Sequence, residues 1–140
     1  MKHAALAFAL CLLFKLSTQA QTKTDDSAAI QATVTNYIEG YYAGDASRMQ
    51  ATLHPHYLKH LIHGDIPMRE ITGTQMIDAV RAHGPADTAA SDKTEQVSVL
   101  DISGEIASAK LVTPHWTDYM TLQKANGEWK ILSVVQRIED

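Results

Sequence analysis

Apolar residues in the first third of the chain recur at spacings of three and four, which is the period of an amphipathic helix. This stripe predicts one long helix with a single buried face. Its members are Ile30, Val34, Tyr37, Ile38, Tyr41 and Tyr42. Asp26 or Ser27 is expected to cap the first turn, and Gly44 is expected to end the helix. Asp45 is expected to cap a short second helix that continues through Leu53.

The middle of the chain has a less regular pattern and is rich in histidine. Leu53–His63 is predicted to form a helical turn or a short helix, with Pro55 in its first turn, where a missing N–H does no harm. Gly64–Pro67 predicts a turn, and Met68–Ile71 predicts a short strand.

A third helix is predicted after this strand. Thr72 or Thr74 can cap it, and it is expected to stop at Gly84-Pro85. Its apolar residues are Met76, Ile77 and Val80. Small and polar residues then predict a loop over Ala86–Thr94.

After Thr94 the apolar period changes from 3.6 to 2, which is typical of strands with one buried face. Four strands are predicted, over Gln96–Ser103, Ile106–Thr113, His115–Lys124 and Glu128–Ile138. Asn126-Gly127 predicts a two-residue hairpin turn, because both central positions of such a turn need positive φ. Helices first and an antiparallel meander last predict an α+β domain with the helices covering one sheet face.

The two-residue turn also predicts how the last two strands pair, because it sets Ala125 opposite Glu128. The opposed pairs on one face are then Leu122 with Ile131, Met120 with Ser133, Asp118 with Val135, and Trp116 with Arg137. This mostly apolar face is expected to meet the helices. Asp118 and Arg137 would lie diagonal to each other near the strand ends, as a charge pair at the edge of the covered face.

Composition narrows the class of protein. The net charge is −4, and Lys and Arg form no cluster that could neutralise a run of phosphates, so a nucleic-acid surface is not expected. The single cysteine, Cys11, lies in the apolar segment at the start of the chain. A domain without that segment has no cysteine, which excludes disulfides, thiol nucleophiles and thiolate metal sites.

The first twenty residues have the layout of a secretory signal peptide. Lys2 gives a positive start, residues 4–14 are almost entirely apolar, and small residues precede a cleavage site after Ala20. The apolar run is too short to span a membrane, and Lys15 interrupts it. We therefore expect a signal peptide over 1–20, a flexible leader over 21–26 and one domain over 27–140. The mature protein is expected to be periplasmic or secreted, without a membrane anchor.

Several segments together resemble the putative lumazine-binding family of the nuclear transport factor 2-like superfamily. They are the runs 37–45 (YIEGYYAGD), 53–55 (LHP), 116–122 (WTDYMTL) and 126–131 (NGEWKI). The resemblance covers about Ile30 to Ile138. It implies a cone, in which a curled antiparallel sheet wraps around a pocket that the first helix closes, and frequent homodimers formed through the sheet. Relatives on this cone include isomerases, dehydratases, polyketide cyclases and non-catalytic binding domains, so the resemblance alone assigns no activity.

The histidine-rich segment offers two kinds of chemistry. If it is helical, His56, His60 and His63 lie on one face and could ligate a divalent metal, or they could simply form a polar face. The glutamate of the helical zinc-protease motif is absent from this spacing, so no metal site is assigned. His54 matches the family pattern, and it could bond to the backbone in a structural role or transfer protons.

Asp118 is the sharper candidate. A carboxylate in an apolar cone could act as a general base, whereas a neighbouring Arg137 would keep it ionised and lower its basicity, which favours anchoring a ligand or a structural ion pair. The aromatic residues could line a ligand pocket or belong to the core. The expected ligand-binding residues are Tyr37, Tyr41, Trp116, Asp118, Met120 and Arg137.

Two functions remain open on the sequence. One is the binding of a small apolar or aromatic molecule, or of a partner protein, in or around the cone. The other is a cofactor-free isomerase, dehydratase or cyclase with Asp118 or His54 as its base. No phosphate-binding glycine loop, nucleophile elbow or cofactor fingerprint is present, so no cofactor is expected. A buried carboxylate without a cationic partner would favour the enzyme.

The signal-peptide hypothesis has a direct test. We expect the exported protein to begin near Gln21, because cleavage after Ala20 leaves small residues at the two recognition positions. Mass spectrometry of the N-terminal peptide, on protein recovered from the periplasm or the medium, measures this. A recovered chain that still carries residues 1–14 would contradict export with cleavage.

Overall fold

The structure is a computed structural model that describes residues 25–139, and the predicted signal peptide lies outside these residues. Helix α1 covers residues 25–43, as its apolar stripe predicts. The predicted cap at Asp26 or Ser27 is wrong, because the helix is already formed at residue 25. Of the expected leader, residues 21–24 are not described and residues 25 and 26 are helical.

Asp26 fixes the start of α1 to the other end of the chain. Its Oδ1 accepts hydrogen bonds from Lys124 Nζ at 2.6 Å and from Trp129 Nε1 at 2.9 Å. These two bonds lower the pKa of Asp26 below its usual value, because they stabilise the carboxylate. The first helix is therefore held against the last hairpin by side chains about a hundred residues apart in the sequence.

Two further helices begin as predicted, although α2 ends at Thr52, one residue before its predicted end at Leu53. Helix α2, Ala46–Thr52, follows Asp45, whose side chain accepts from the Arg48 backbone N–H at 2.9 Å. Helix α3, Gly73–His83, begins with a capping box between Thr72 and Gln75. No helix within residues 25–139 is long and apolar enough to cross a membrane.

The six strands form one sheet. Their bounds are β1 Leu53–His63, β2 Ile66–Thr72, β3 Gln96–Ser103, β4 Ile106–Val112, β5 Trp116–Ala125 and β6 Glu128–Ile138. The order across the sheet is β2-β1-β6-β5-β4-β3. Every pairing is antiparallel except that of β1 with β6, which is parallel. The α+β class is confirmed, but the sheet is mixed where a purely antiparallel one was expected.

The helix predicted over Leu53–His63 is wrong, because this segment is strand β1. Tyr57 and Lys59 are buried, whereas Leu58 and His60 between and after them are less so, which is the alternation of a strand. The histidines recur at spacings of four and three, which fit a helix. The lysine at an inward position interrupts the alternation of apolar and polar residues that would have indicated a strand. Pairing on both sides, to β2 and β6, then secures the extended form.

The last hairpin is confirmed at its turn and corrected beyond it. Asn126 and Gly127 both have positive φ, at 53° and 82°. The predicted pairing holds from the turn to Leu122 opposite Ile131, and then Leu132 is left over as a bulge that shifts the register by one residue. This shift changes which residues lie opposite each other at the far ends of the two strands.

Beyond the bulge, Asp118 lies opposite Gln136, and Thr117 lies opposite Arg137. The predicted pair of Asp118 with Arg137 is therefore wrong. A one-residue slip moves a side chain to the other sheet face. Arg137 now points outward, with 72% of its side chain exposed, and forms an ion pair with Glu139 at 3.2 Å.

The core lies between α1 and the inner face of the sheet. Ile30, Val34 and Ile38 from the helix are fully buried, as are Leu122 and Ile131 from the sheet. The outer face of the sheet is partly apolar, since Tyr119 on β5 is 52% exposed and lies opposite Val135 on β6. The inner face therefore carries both the packing and any enclosed site.

Gly44, directly after α1, lies against the backbone of Gly84, directly after α3. It has φ +66°, and a Cβ there would lie 2.1 Å from the carbonyl carbon of Gly84. We expect Gly44→Ala to lower the free energy of unfolding by more than the roughly 1–2 kcal/mol that a left-handed residue alone costs. Urea denaturation measures the change.

Gly104→Ala is the matched control, because Gly104 has φ +60° and open space around the position of a Cβ. This variant has the conformational cost of a left-handed residue but no steric clash of the new Cβ. Equal losses of stability in the two variants would contradict a steric role for Gly44.

Candidate functional site

An inner cavity of about 370 Å³ lies between α1, α3 and the strands β1, β5 and β6. Most of its lining is apolar or aromatic, which is typical of a small-molecule pocket. The apolar and aromatic lining residues are Tyr37, Ile38, Tyr41, Leu61, Ile71, Met76, Ala79, Trp116 and Ile138. The other lining residues are polar or ionisable: Lys59, His83, His115, Asp118 and Gln136.

Asp118 is the buried acid of this cavity. Its exposed fraction is 0%, and β5 points it inward because its neighbours in the alternation, Met120 and Leu122, face the core. Neither carboxylate oxygen has a hydrogen-bond partner among the described residues. Burial raises the pKa of Asp118 above its ordinary value of 3.8. The charge of Lys59 and the polar groups of Gln136 and Trp116 oppose this rise.

Lys59 is the cation that faces this acid. Its Nζ lies 3.7 Å from Asp118 Oδ1, and only 5% of its side chain is exposed. At 3.7 Å the two groups attract each other without a normal hydrogen bond. Burial lowers the pKa of Lys59, because it disfavours the charged ammonium, while the carboxylate of Asp118 opposes this effect.

Two tyrosines connect Lys59 to helix α1. Lys59 Nζ donates to Tyr37 Oη at 3.1 Å, and Tyr37 Oη shares a hydrogen bond with Tyr57 Oη, also at 3.1 Å. Burial raises the pKa of both tyrosines well above 10, so both remain protonated at neutral pH. This chain of hydroxyls fixes Nζ in position and offers a path for proton exchange.

Trp116 forms an aromatic wall of the cavity. Its ring packs edge-on against Tyr41 at a centroid distance of 5.7 Å and an angle of 83°. Thr113 positions it at the start of β5, because its hydroxyl accepts from the Trp116 backbone N–H at 3.1 Å. The indole Nε1 is buried and has no hydrogen-bond partner among the described residues, as is also true of the Asp118 oxygens.

The cavity opens to solvent beside Tyr41, His83 and His115, because these three lining residues are exposed. Strict alternation along the predicted strand His115–Lys124 would place His115 on the face opposite Asp118, but His115 lines the cavity. It precedes the first residue of β5, where the strand alternation does not yet constrain it.

Four of the six expected ligand-binding residues line the same cavity: Tyr37, Tyr41, Trp116 and Asp118. Met120 is buried in the core and does not line it, and Arg137 lies on the opposite face. Lys59 was missed, because its segment was interpreted as helical. The alternating burial of Tyr57 and Lys59 is visible only in the structure, so the sequence offered no clear signal for it.

The histidine segment does not form the predicted cluster. His60 points toward Glu70 on β2, with Nε2 and Oε1 3.2 Å apart, and the helical face of three histidines is wrong because the segment is a strand. No group of three potential ligands close enough to hold a metal occurs in residues 25–139. His54 Nδ1 accepts from the His56 backbone N–H at 3.0 Å, and His54 does not line the cavity.

Comparison with known proteins connects this geometry to a family. Residues 25–136 match the family described as "Putative lumazine-binding". No protein of curated function matches the chain.

Solved structures with the same fold are numerous. An NTF2-like protein of unknown function from Shewanella baltica OS155 is 19% identical, with a TM-score of 0.69 over 84% of this chain and 96% of that one. One from Silicibacter pomeroyi DSS-3 is also 19% identical, with a TM-score of 0.70 over 84% and 98%. A ketosteroid isomerase-like protein from Erwinia carotovora atroseptica SCRI1043 is 12% identical, with a TM-score of 0.59 over 82% and 97%. At these identities the likeness shows the fold alone, and the expected cone is confirmed.

The pairing of Asp118 with Lys59 predicts a strong coupling between the two positions. We expect Asp118→Asn and Lys59→Met each to lower the free energy of unfolding by about 3–5 kcal/mol, because each leaves a buried charge unpaired. The double variant should lose much less than the sum of the two. Urea denaturation of all four proteins measures the coupling, and additive losses would contradict it.

Lys59→Met and the double variant differ in how their stability depends on pH. In Lys59→Met the folded-state pKa of Asp118 stays above its unfolded value. The contribution of Asp118 to stability is therefore fully present below pH 3.8 and is lost as the pH rises through the folded-state pKa. The double variant has no carboxylate at this position and should lack the decline. A flat pH profile for Lys59→Met would show that Asp118 is not desolvated.

Proposed function

This chain belongs to the putative lumazine-binding family, and from that premise we propose that it binds a small, flat, aromatic molecule in the inner cavity. The observation that carries the proposal is a set of buried polar atoms without partners. Among residues 25–139, no group lies within hydrogen-bond distance and geometry of either oxygen of Asp118 or of the Nε1 of Trp116. Each such atom costs about 1–3 kcal/mol when left unsatisfied, so a ligand that satisfies them recovers that free energy.

The chemistry of these atoms defines the ligand. Asp118 accepts hydrogen bonds when ionised, and Trp116 only donates. A planar heterocycle that places an N–H donor beside a carbonyl or ring-nitrogen acceptor matches both. Lumazine, which the family description names, is a heterocycle of this kind. Tyr41 and Trp116 provide aromatic surfaces for a flat ring, and the cavity volume of about 370 Å³ lies in the range of small-molecule sites.

A second candidate is proton-transfer catalysis without a cofactor, with Asp118 as the base. It is favoured by the raised pKa of a carboxylate buried beside an apolar cavity, since a useful base needs a pKa near the working pH. One structural neighbour is described as ketosteroid isomerase-like. His54 is not a candidate in this cavity, because it does not line it.

We also propose that the protein is exported and that it forms homodimers through its sheet. The dimer is supported by the exposed pair Tyr119 and Val135 on the outer face. Sedimentation equilibrium would give the mass of one chain, and so reject the dimer, or the mass of two.

Binding is tested first by native mass spectrometry of the purified protein for a co-purified molecule, and then by titration with lumazine followed by its fluorescence. We expect Asp118→Asn and Trp116→Phe each to weaken binding by about tenfold or more, the equivalent of one hydrogen bond of about 1.4 kcal/mol. Trp116→Phe keeps a smaller aromatic ring at this wall and removes the N–H.

Tyr119→Phe is the matched control, because Tyr119 lies on the same strand and points to the other face. Unchanged lumazine binding in both cavity variants would contradict the proposed recognition. For the second candidate, the same Asp118→Asn protein is assayed with a β,γ-unsaturated ketone. Catalysis is contradicted if the wild-type protein does not shift the double bond, or if the variant shifts it equally fast.

A further inference from the structure

Lys59 is the one primary amine among the described residues that line the cavity. Lysine is almost never fully buried unless it is paired. Here β1 directs the side chain inward beside Tyr57, and its Nζ reaches the cavity wall next to Tyr37 and Asp118. The burial therefore needs either a structural or a chemical explanation.

A structural ion pair explains the arrangement poorly. Buried pairs offset their desolvation only when their geometry is good and their remaining lone pairs are satisfied. The Nζ of Lys59 and Oδ1 of Asp118 are 3.7 Å apart, and no residue within 25–139 donates a hydrogen bond of normal length to either Asp118 oxygen. Well-packed apolar residues at such positions are often as stable or more so. The amine and the acid are therefore held close together, and both remain able to interact with a molecule in the cavity.

We infer that Lys59 forms an imine with aldehydes or ketones that enter the cavity. The inference rests on the proposed function only in requiring that a small molecule occupies this cavity. Amines desolvated in apolar pockets are the ones that proteins use for this chemistry. Burial lowers the pKa of Lys59 and so increases the fraction of neutral amine that can attack.

The reaction balances with the groups present. The lone pair of neutral Nζ attacks the carbonyl carbon, and the C=O π electrons move to oxygen. Asp118 accepts a proton from the nitrogen, and one proton from solvent water, taken up at the cavity opening, protonates the oxygen to give a carbinolamine; this proton is the positive charge of the final protonated imine. The proton held by Asp118 then passes to the hydroxyl group, which leaves as water while the nitrogen lone pair forms the C=N bond. One water is released for each imine, and no oxidant or reductant is needed.

The neighbouring residues fit these steps. The distance of 3.7 Å between Nζ and Asp118 Oδ1 allows proton exchange with small movements, and the raised pKa of the acid allows it to hold a proton between the steps. Tyr37 is a positioning residue, because its Oη accepts from Nζ at 3.1 Å. The apolar wall of Trp116 and Tyr41 favours aromatic carbonyl compounds and limits the water that would hydrolyse the imine.

The test uses the mature chain with limiting benzaldehyde and sodium cyanoborohydride at pH 7, where exposed lysines are protonated. Reduction converts an imine to a stable benzyl amine. Intact mass measures the number of labels, and peptide mapping locates them. We expect one dominant label, on Lys59. Absence of label there, or labelling no faster than at Lys110, would overturn the inference.

Variants separate the role of the Lys59 amine from that of the Asp118 carboxylate. Lys59→Met should lose the dominant label, and Lys110→Met should keep it, because Lys110 lies on β4 against the outer-face Tyr119. Asp118→Asn keeps the amine and should slow labelling. Unchanged or faster labelling would overturn the proton transfer assigned to Asp118. If Lys59→Met does not fold, peptide mapping of the wild-type protein still decides.

The outcomes also separate this inference from the proposed function. Lumazine binding is measured without reductant and depends on Asp118 and Trp116. Binding of lumazine without label at Lys59 would overturn the imine alone. Label at Lys59 without lumazine binding would support the imine and reject the proposed ligand class.

Discussion

One extra residue in the last strand decides which charges meet inside this protein. Leu132 has no partner on β5, so every residue of β6 after it is displaced by one position. The displacement brings Gln136 to the inner face and sends Arg137 to solvent. A guanidinium beside Asp118 would occupy both carboxylate oxygens, because it donates in a bidentate fork. The bulge instead leaves those oxygens open toward the cavity, facing an ammonium group that has come from another strand.

That ammonium group exists in the cavity because β1 adds to the sheet beside β6. The hydrophobic period of the helices and of the last four strands could be predicted from the sequence, since each carries its own repeating pattern of burial. The first strand could not, because one of its inward positions holds a lysine and its histidines recur at spacings that also fit a helix. Residues that serve a site break the patterns from which elements are predicted.

Only part of the candidate site could be predicted, because local patterns place some of its residues and not others. Tyr37, Tyr41, Trp116 and Asp118 lie on elements whose faces follow from local periodicity, so their common orientation could be predicted. The partner of Asp118 could not, because it depends on a bulge and on a pairing between distant segments. Turn residues fix the register near a turn, but no local signal at Leu132 marks the extra residue. The prediction therefore failed at the far end of a hairpin whose turn it described correctly.

The parallel pairing of β1 with β6 also has a consequence for how the chain acquires its site. Leu58 pairs with Ser133, a contact between residues separated by more than half the chain. Closing so long a loop is entropically unfavourable until the contacts it enables have formed, and such topologies fold slowly. During synthesis, Lys59 emerges long before the strand that holds it beside Asp118. The pocket therefore cannot be complete until β6 has been synthesised and has paired with β1.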